Sequence, residues 1–437
     1  MTADVLWSAE WVLPIDAPPL REGAVLVRGE RIVEVGPARA LARAHPRVDW
    51  RHLARTALLP GLVDAHTHLC WSGLECAPPG PGQGFADWLE GMAGRARSAD
   101  PEGLDAQALQ GARAHLARGV TTVADSGPSP GGLEVLRRAG LRGVFGLELF
   151  GPDPAQAGAA FAALEAGLAR AETGANRHAH EHEREHEARL GVAPHAPYTV
   201  SRGLLGRAAA LARERGLSLL VHLAESREEL EYLRAAAGPL AERLRRRGIE
   251  VEPSGLGPAA WLESAGALRA GDVLAHCVHA GPDDLARIAR AGAGVALCPT
   301  SNEVLGVGPA PLRELLAAGV PLGVGTDSAA TNPARDPFQE LRALLDLARA
   351  QEAPFGPGEA LRAATLGGAR LLGLERQVGS LTPGKLADLV AVGLDGEPGE
   401  PAAALVRAGS AERVRLVIRG GEPLCRPATG TAPGRAW

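Results

Sequence analysis

Between residues 58 and 329 the chain repeats one unit, a short apolar run followed by an Ala/Leu/Arg-rich stretch with helical periodicity. The runs are "LLPGLVDAH" (58–66), "GVTTVADSG" (119–127), "RGVFGLELFG" (142–151), "RLGVAPHAP" (189–197), "LSLLVHLAE" (217–225), "DVLAHCVHA" (272–280), "GVALCPTSN" (294–302) and "PLGVGTDSA" (321–329). Near-continuous apolar strands are buried on both faces, and that requires helices on both sides of a parallel sheet. Eight such units predict an α/β fold, a (βα)₈ TIM-type barrel over residues 58–377.

The flanks break this rhythm. Residues 1–57 contain "GAVLVRGERIVEVG", two β-rich runs around an Arg-Gly-Glu turn, and residues 378–437 contain "RVRLVIRGG". The two ends are expected to form one small composite β-sandwich domain, with the barrel inserted between them. A net charge of −5 leaves no basic footprint, so neither nucleic acid nor an anionic membrane is an expected partner. Cys70, Cys76, Cys277, Cys298 and Cys425 form no C-x-x-C pair, and neither a disulfide framework nor a thiolate zinc cluster is expected. The N-terminal residues lack the basic flank and apolar core of a signal peptide, and a cytoplasmic location is expected.

Barrel chemistry lies where the C-terminal strand ends converge. His66, His68, His195, His222 and His276 all fall in or at the ends of expected strands. In "HTH", alternation along a strand sends His66 and His68 to the same side. "VHLAE" adds His222 and Glu225, and "VGTDS" adds Asp327. A lone histidine at such a place is more often structural, but five converging with carboxylates are not. Three imidazoles and one carboxylate suit one divalent ion, Zn²⁺ or Fe²⁺, with room for water. Such an ion lowers the pKa of its water to about 7. Barrel hydrolases with two bridged metals commonly use a carbamylated lysine. The single lysine, Lys385, falls outside the barrel in a "TPGKLAD" turn, so a mononuclear site is expected.

"PGLVDAHTHL", "APHAPYTVS", "HLAES", "LAHCVHAG" and "GTDS", in this order, resemble the amidohydrolase superfamily, and "VGSLTPGKLADLVAVG" extends the likeness into the C-terminal flank. Within it the chain is similar to the mononuclear branch of deaminases and triazine chlorohydrolases, most of all the aminofutalosine and S-adenosylhomocysteine deaminases. The resemblance implies His66, His68, His222 and Asp327 as metal ligands, Glu225 as proton shuttle and His276 as the residue orienting the attacking water. It implies His195 as a substrate contact. Trp71, Trp88 and Glu90, in the loop after the first strand, become candidates for the same role, with Trp88 equally readable as a helix core residue. At the end of the third strand an S-adenosylhomocysteine deaminase carries an arginine, and Glu148, which stands there instead, becomes a further candidate for substrate contact.

The implied activity is hydrolytic deamination of an aminopurine nucleoside, with 6-aminodeoxyfutalosine, of menaquinone biosynthesis, as the expected substrate. S-adenosylhomocysteine, methylthioadenosine, adenosine, guanine, formimino-glutamate and chlorotriazines are the alternatives. A small molecule is the expected partner, and a homodimer the assembly to consider. A barrel that served only as a scaffold would be expected to lack ligands, and none is missing.

One stretch, "RHAHEHEREHEAR" (177–189), is low in complexity and rich in histidine. It reads as a charged, solvated insertion rather than a metal-gathering arm, because no strand end fixes its side chains. Loop closure costs grow slowly with length, so deleting residues 177–188 is expected to leave metal content and turnover nearly unchanged. Metal uptake at limiting zinc measures this, and a clear loss of affinity would point to recruitment.

Overall fold

The structure, a computed structural model, describes residues 4–80, 82–175, 188–395 and 399–425. The chain begins with β1 (Val5–Val12), β2 (Leu20–Arg28), β3 (Arg31–Pro37) and β4 (Asp49–Pro60). β2 and β3 form the hairpin expected at Arg-Gly-Glu, and Gly29 takes the positive φ of 56° that the turn demands. Near the C-terminus come β13 (Leu389–Gly393), β14 (Val414–Arg419) and β15 (Glu422–Cys425). Both flanks share one seven-stranded, sandwich-like sheet in the order β15-β14-β13-β4-β1-β2-β3. One face carries Trp7, Val25, Ile32, Leu58 and Leu389, and the other buries Leu6 and Leu26 against the helix Ala38–Ala44.

Between these flanks lie eight parallel strands. The first half is β5 (Leu62–Thr67), β6 (Val120–Gly127), β7 (Arg142–Leu149) and β8 (Arg189–Pro194). The second is β9 (Leu220–Leu223), β10 (Val273–His276), β11 (Gly294–Leu297) and β12 (Leu322–Val324). Parallel bridges Val192↔Leu219 and Thr67↔Asp327 join the halves at both seams and close the barrel. Val63, Ala65, Val144, Leu220 and Val273 pack inside with Leu371 and Leu372.

The run "LLPGLVDAH" is not one strand. Its first part ends β4 in the seven-stranded sheet, and its second part is β5 of the barrel. Gly61 makes the break, and a Cβ there would lie 2.2 Å from Thr121 Oγ1. Both parts are fully buried, so hydrophobicity alone could not separate them. The expected junction at 57/58 therefore falls inside β4.

A buried ion pair locks the barrel to the flanking sheet. Arg142, at the start of β7, donates from Nε to Asp388 Oδ2 (2.6 Å) and from Nη2 to Oδ1 (3.2 Å). Removing one partner of such a pair costs about 3–5 kcal/mol, because it strands a buried charge. At the other end of the barrel, residues 72–80 and the helix Phe85–Ser98 reach across the mouth. Ala77 N–H donates to Ala330 O beyond β12 (3.0 Å), and Ala86 N–H donates to Glu228 beyond β9 (2.7 Å). No helix among the described residues is long and apolar enough to cross a membrane. The His-rich stretch, His178 to His186, lies outside the described residues.

Candidate metal centre and active site

Four imidazoles meet at the C-terminal strand ends. Ring centroids of His66 lie 4.9 Å from His68, 4.7 Å from His222 and 5.5 Å from His276. His66 and His68, two residues apart, both face this cluster. β5 is irregular between Asp64 and Thr67, and His68 lies just past the strand end. Irregularities of this kind re-aim side chains beside active sites. The mouth also concentrates backbone strain. Of ten non-glycine residues with positive φ among the described residues, Ala224, His276, Cys277 and Asp327 border this cluster. Such conformations persist only where the surroundings hold them.

The hydrogen bonds fix which nitrogen each ring presents. His68 Nδ1 donates to Ser126 O (3.0 Å) and His222 Nδ1 donates to His195 O (2.8 Å). Both Nε2 atoms therefore carry lone pairs, and they lie 3.1 Å apart. Burial, with the neighbouring His222, pushes the His68 imidazolium down to about 4, so no proton is available to bridge them at neutral pH. Two facing lone pairs need a cation. Nitrogens on a tetrahedral zinc at ~2.05 Å each sit ~3.3 Å apart, close to what is seen.

The remaining donors complete the cage. Asp327 Oδ1 lies 3.6 Å from His66 Nε2 and 3.7 Å from His68 Nε2. Its other oxygen is occupied, accepting from the hydroxyls of Ser301 and Thr331. Burial raises the Asp327 carboxyl, but the imidazoles of His66, His276 and His68 outweigh it and hold the group below the usual carboxylate range. His66 Nε2 and His276 Nε2 are buried and have no hydrogen-bond partner. Orphaned buried nitrogens are costly unless something absent from the protein atoms satisfies them. Burial also holds His66, His222 and His276 below the ordinary imidazole range, which favours the neutral, ligating form. The donor set of His66, His68, His222 and Asp327 can thus hold one divalent ion, with His276 close enough to share it.

Glu225 stands beside this cage. Its Oε1 lies 3.6 Å from His276 Nε2, and burial raises its carboxyl to about 8. Ser226 caps the helix Arg227–Ala235, accepting from Glu229 N–H, and Glu225 precedes that cap.

Two positioning residues went unread in the sequence. Glu229 accepts the backbone N–H groups of Ala224 (2.8 Å) and Glu225 (3.1 Å), holding the bend that aims Glu225. Asn302 Oδ1 accepts from His276 Nδ1 (2.9 Å), which sets that ring's tautomer. The spacing of Glu229 from Glu225 in "ESREE" was the only available signal for the first. For Asn302 there was none.

The substrate-contact candidates separate. His195 packs tilted against His222, with centroids 4.6 Å apart, and donates from Nδ1 to Thr199 (3.0 Å). Glu148 Oε1 lies 3.6 Å from His68 Nδ1, and burial raises its carboxyl to about 8. Trp88 packs beside Phe85 and donates from Nε1 to Ala77 O (2.8 Å), so it helps hold the covering loop. Trp71 packs partly buried against the main core. Glu90 is exposed and pairs with Arg243 (3.6 Å) rather than with any of the histidines. His279 donates to Val307 O (2.8 Å), a structural contact. Phe150, two residues past Glu148, went unread. It is 47% exposed with its ring 4.8 Å from His195, which extends the row of rings outward from the histidine cluster.

The sequence pattern described as "Amidohydrolase family" matches residues 57–424. A 5-methylthioadenosine/S-adenosylhomocysteine deaminase of Moorella thermoacetica is 31% identical over 94% of this chain and 92% of its own length. An aminodeoxyfutalosine deaminase of Deinococcus radiodurans is 32% identical over 80% of this chain and 81% of its own. Among solved structures, a zinc-bound adenosine deaminase of Xanthomonas campestris superposes with a TM-score of 0.76 at 28% identity, covering 96% of this chain and 92% of that one.

Proposed function

We propose a function from one premise: the chain belongs to the amidohydrolase family. The chain is an enzyme of the hydrolytic deaminase type, acting on C–N bonds. Its substrate is an aminopurine nucleoside derivative, best represented by 6-aminodeoxyfutalosine, and its metal is a single Zn²⁺ held by His66, His68, His222 and Asp327. The observation that carries this reading is the pair of facing lone pairs on His68 and His222, 3.1 Å apart, with Asp327 Oδ1 alongside.

The chemistry such an ion supplies when bound is activation of water for attack at neutral pH. The protein's own groups do the rest. Glu225, buried beside the cage, is placed to act as a carboxylate that moves both protons of the water in turn, the first to the ring nitrogen and the second to the departing ammonia. His276, its tautomer set by Asn302, turns a bare Nε2 toward the reacting centre and Glu225. His195 packs along the ring row, where a purine or its sugar would lie.

The two kinds of deaminase relative differ in the tail they accept. Glu148, in place of a tail-binding arginine, argues against a substrate ending in a free amino acid. The exposed face of Phe150 suits an apolar or aromatic tail. Ammonia release across 6-aminodeoxyfutalosine, methylthioadenosine, S-adenosylhomocysteine, adenosine, guanine, cytosine and formimino-glutamate, with chloride release from a chlorotriazine, tests this. The expected order has 6-aminodeoxyfutalosine first, then weaker action on the other adenosine compounds. Best turnover on guanine or any non-purine would remove the substrate assignment and leave the metal site untouched.

A further inference from the structure

His115 lies outside the barrel, on the helix Pro101–Ala117, and is fully buried. Its Nδ1 lies 3.0 Å from Gly111 O one turn back, and its Nε2 lies 3.1 Å from Asp64 Oδ2. An apolar side chain would fill this space equally well, so the imidazole needs a reason. Asp64 supplies one. Its Oδ1 accepts the backbone N–H groups of His66 (3.2 Å) and Thr326 (3.1 Å), and its Oδ2 also accepts the Thr326 hydroxyl (2.6 Å). One carboxylate thus grips the backbone of His66 and the residue directly before Asp327.

The grip falls on the seam where β12 closes the barrel on β5. Thr67 bridges Asp327 there, and Asp327 N–H donates to His66 O (3.0 Å). Asp327 also sits at φ +58°, a conformation that the seam must maintain. Apart from His115, every hydrogen-bond donor found on the Asp64 carboxylate belongs to the two seam strands or their ends. His115 is the contact that anchors the carboxylate to the helix layer outside.

We propose that His115 is a positioning residue: through Asp64 it fixes His66 and Asp327 relative to each other and so sets the metal affinity of the site. The proposal rests on the metal-site reading above. Partners behind metal ligands typically contribute about 10–100-fold in affinity or activity.

The test is zinc affinity by chelator competition on the full chain, with unfolding of the metal-free protein followed alongside. His115→Leu is expected to weaken zinc binding about 10–100-fold, while His115→Gln, whose amide N–H can still reach Asp64, recovers most of the loss. A purely structural role would lower the unfolding midpoint of both variants and leave zinc affinity of the folded protein unchanged. Should His115→Leu not fold, Thr326→Val removes a second donor from the same carboxylate at nearly constant volume, and weaker zinc binding is expected again. Native affinity in the folded variants would overturn the proposal. If the unaltered chain took up no zinc at all, the metal-site reading would fall first, and the two failures are therefore distinguishable.

Discussion

Glu225→Gln is expected to keep its full complement of metal and to lose turnover by about 10²–10⁴-fold, the range for a positioned acid–base group. The substitution preserves volume and removes only the ability to carry a proton. It spares the metal because Glu225 lies outside the proposed ligand set, 3.6 Å from His276 Nε2. Glu229 grips the backbone rather than the side chain at 225, so the local bend is expected to survive. The measurement is kcat beside metal content on the same preparation. Near-native turnover would return Glu225 to a passive place ahead of the helix.

The second large effect is on the metal itself. His222→Ala is expected to weaken zinc binding beyond the ~10–100-fold seen when only an outer partner is lost, and to bring turnover to background. His222 presents a lone pair fixed by its bond to the His195 carbonyl, and alanine leaves His68 Nε2 facing an empty space. His276→Ala is the informative contrast: metal is expected to stay while turnover falls. The opposite pattern, metal lost with His276 and retained without His222, would contradict the proposed ligand set.

Much of this site is legible in the sequence. The alternation of apolar runs with helical stretches is a local property, and it yields the eight strands. Histidines and carboxylates at the ends of those runs follow at once, because strand ends in a parallel barrel share one mouth. What stayed hidden depends on contacts between distant segments. The break at Gly61 lies inside one uniformly buried run, and only the crowding by Thr121 reveals it. Asp64 looked like part of a motif, yet its task is to join β5, β12 and a helix residue 51 positions away. Asn302 reaches His276 across 26 positions. Glu90 and Trp88 could not be sorted, since the covering helix shows its faces only once it is packed.

The central claim is a single catalytic ion per chain. Metal-free protein titrated with zinc, with bound metal and ammonia release from 6-aminodeoxyfutalosine read at each addition, tests it most directly. The account predicts that both rise together and level off at one equivalent. Full activity without metal, or a plateau reached only at two tightly bound ions, would contradict it.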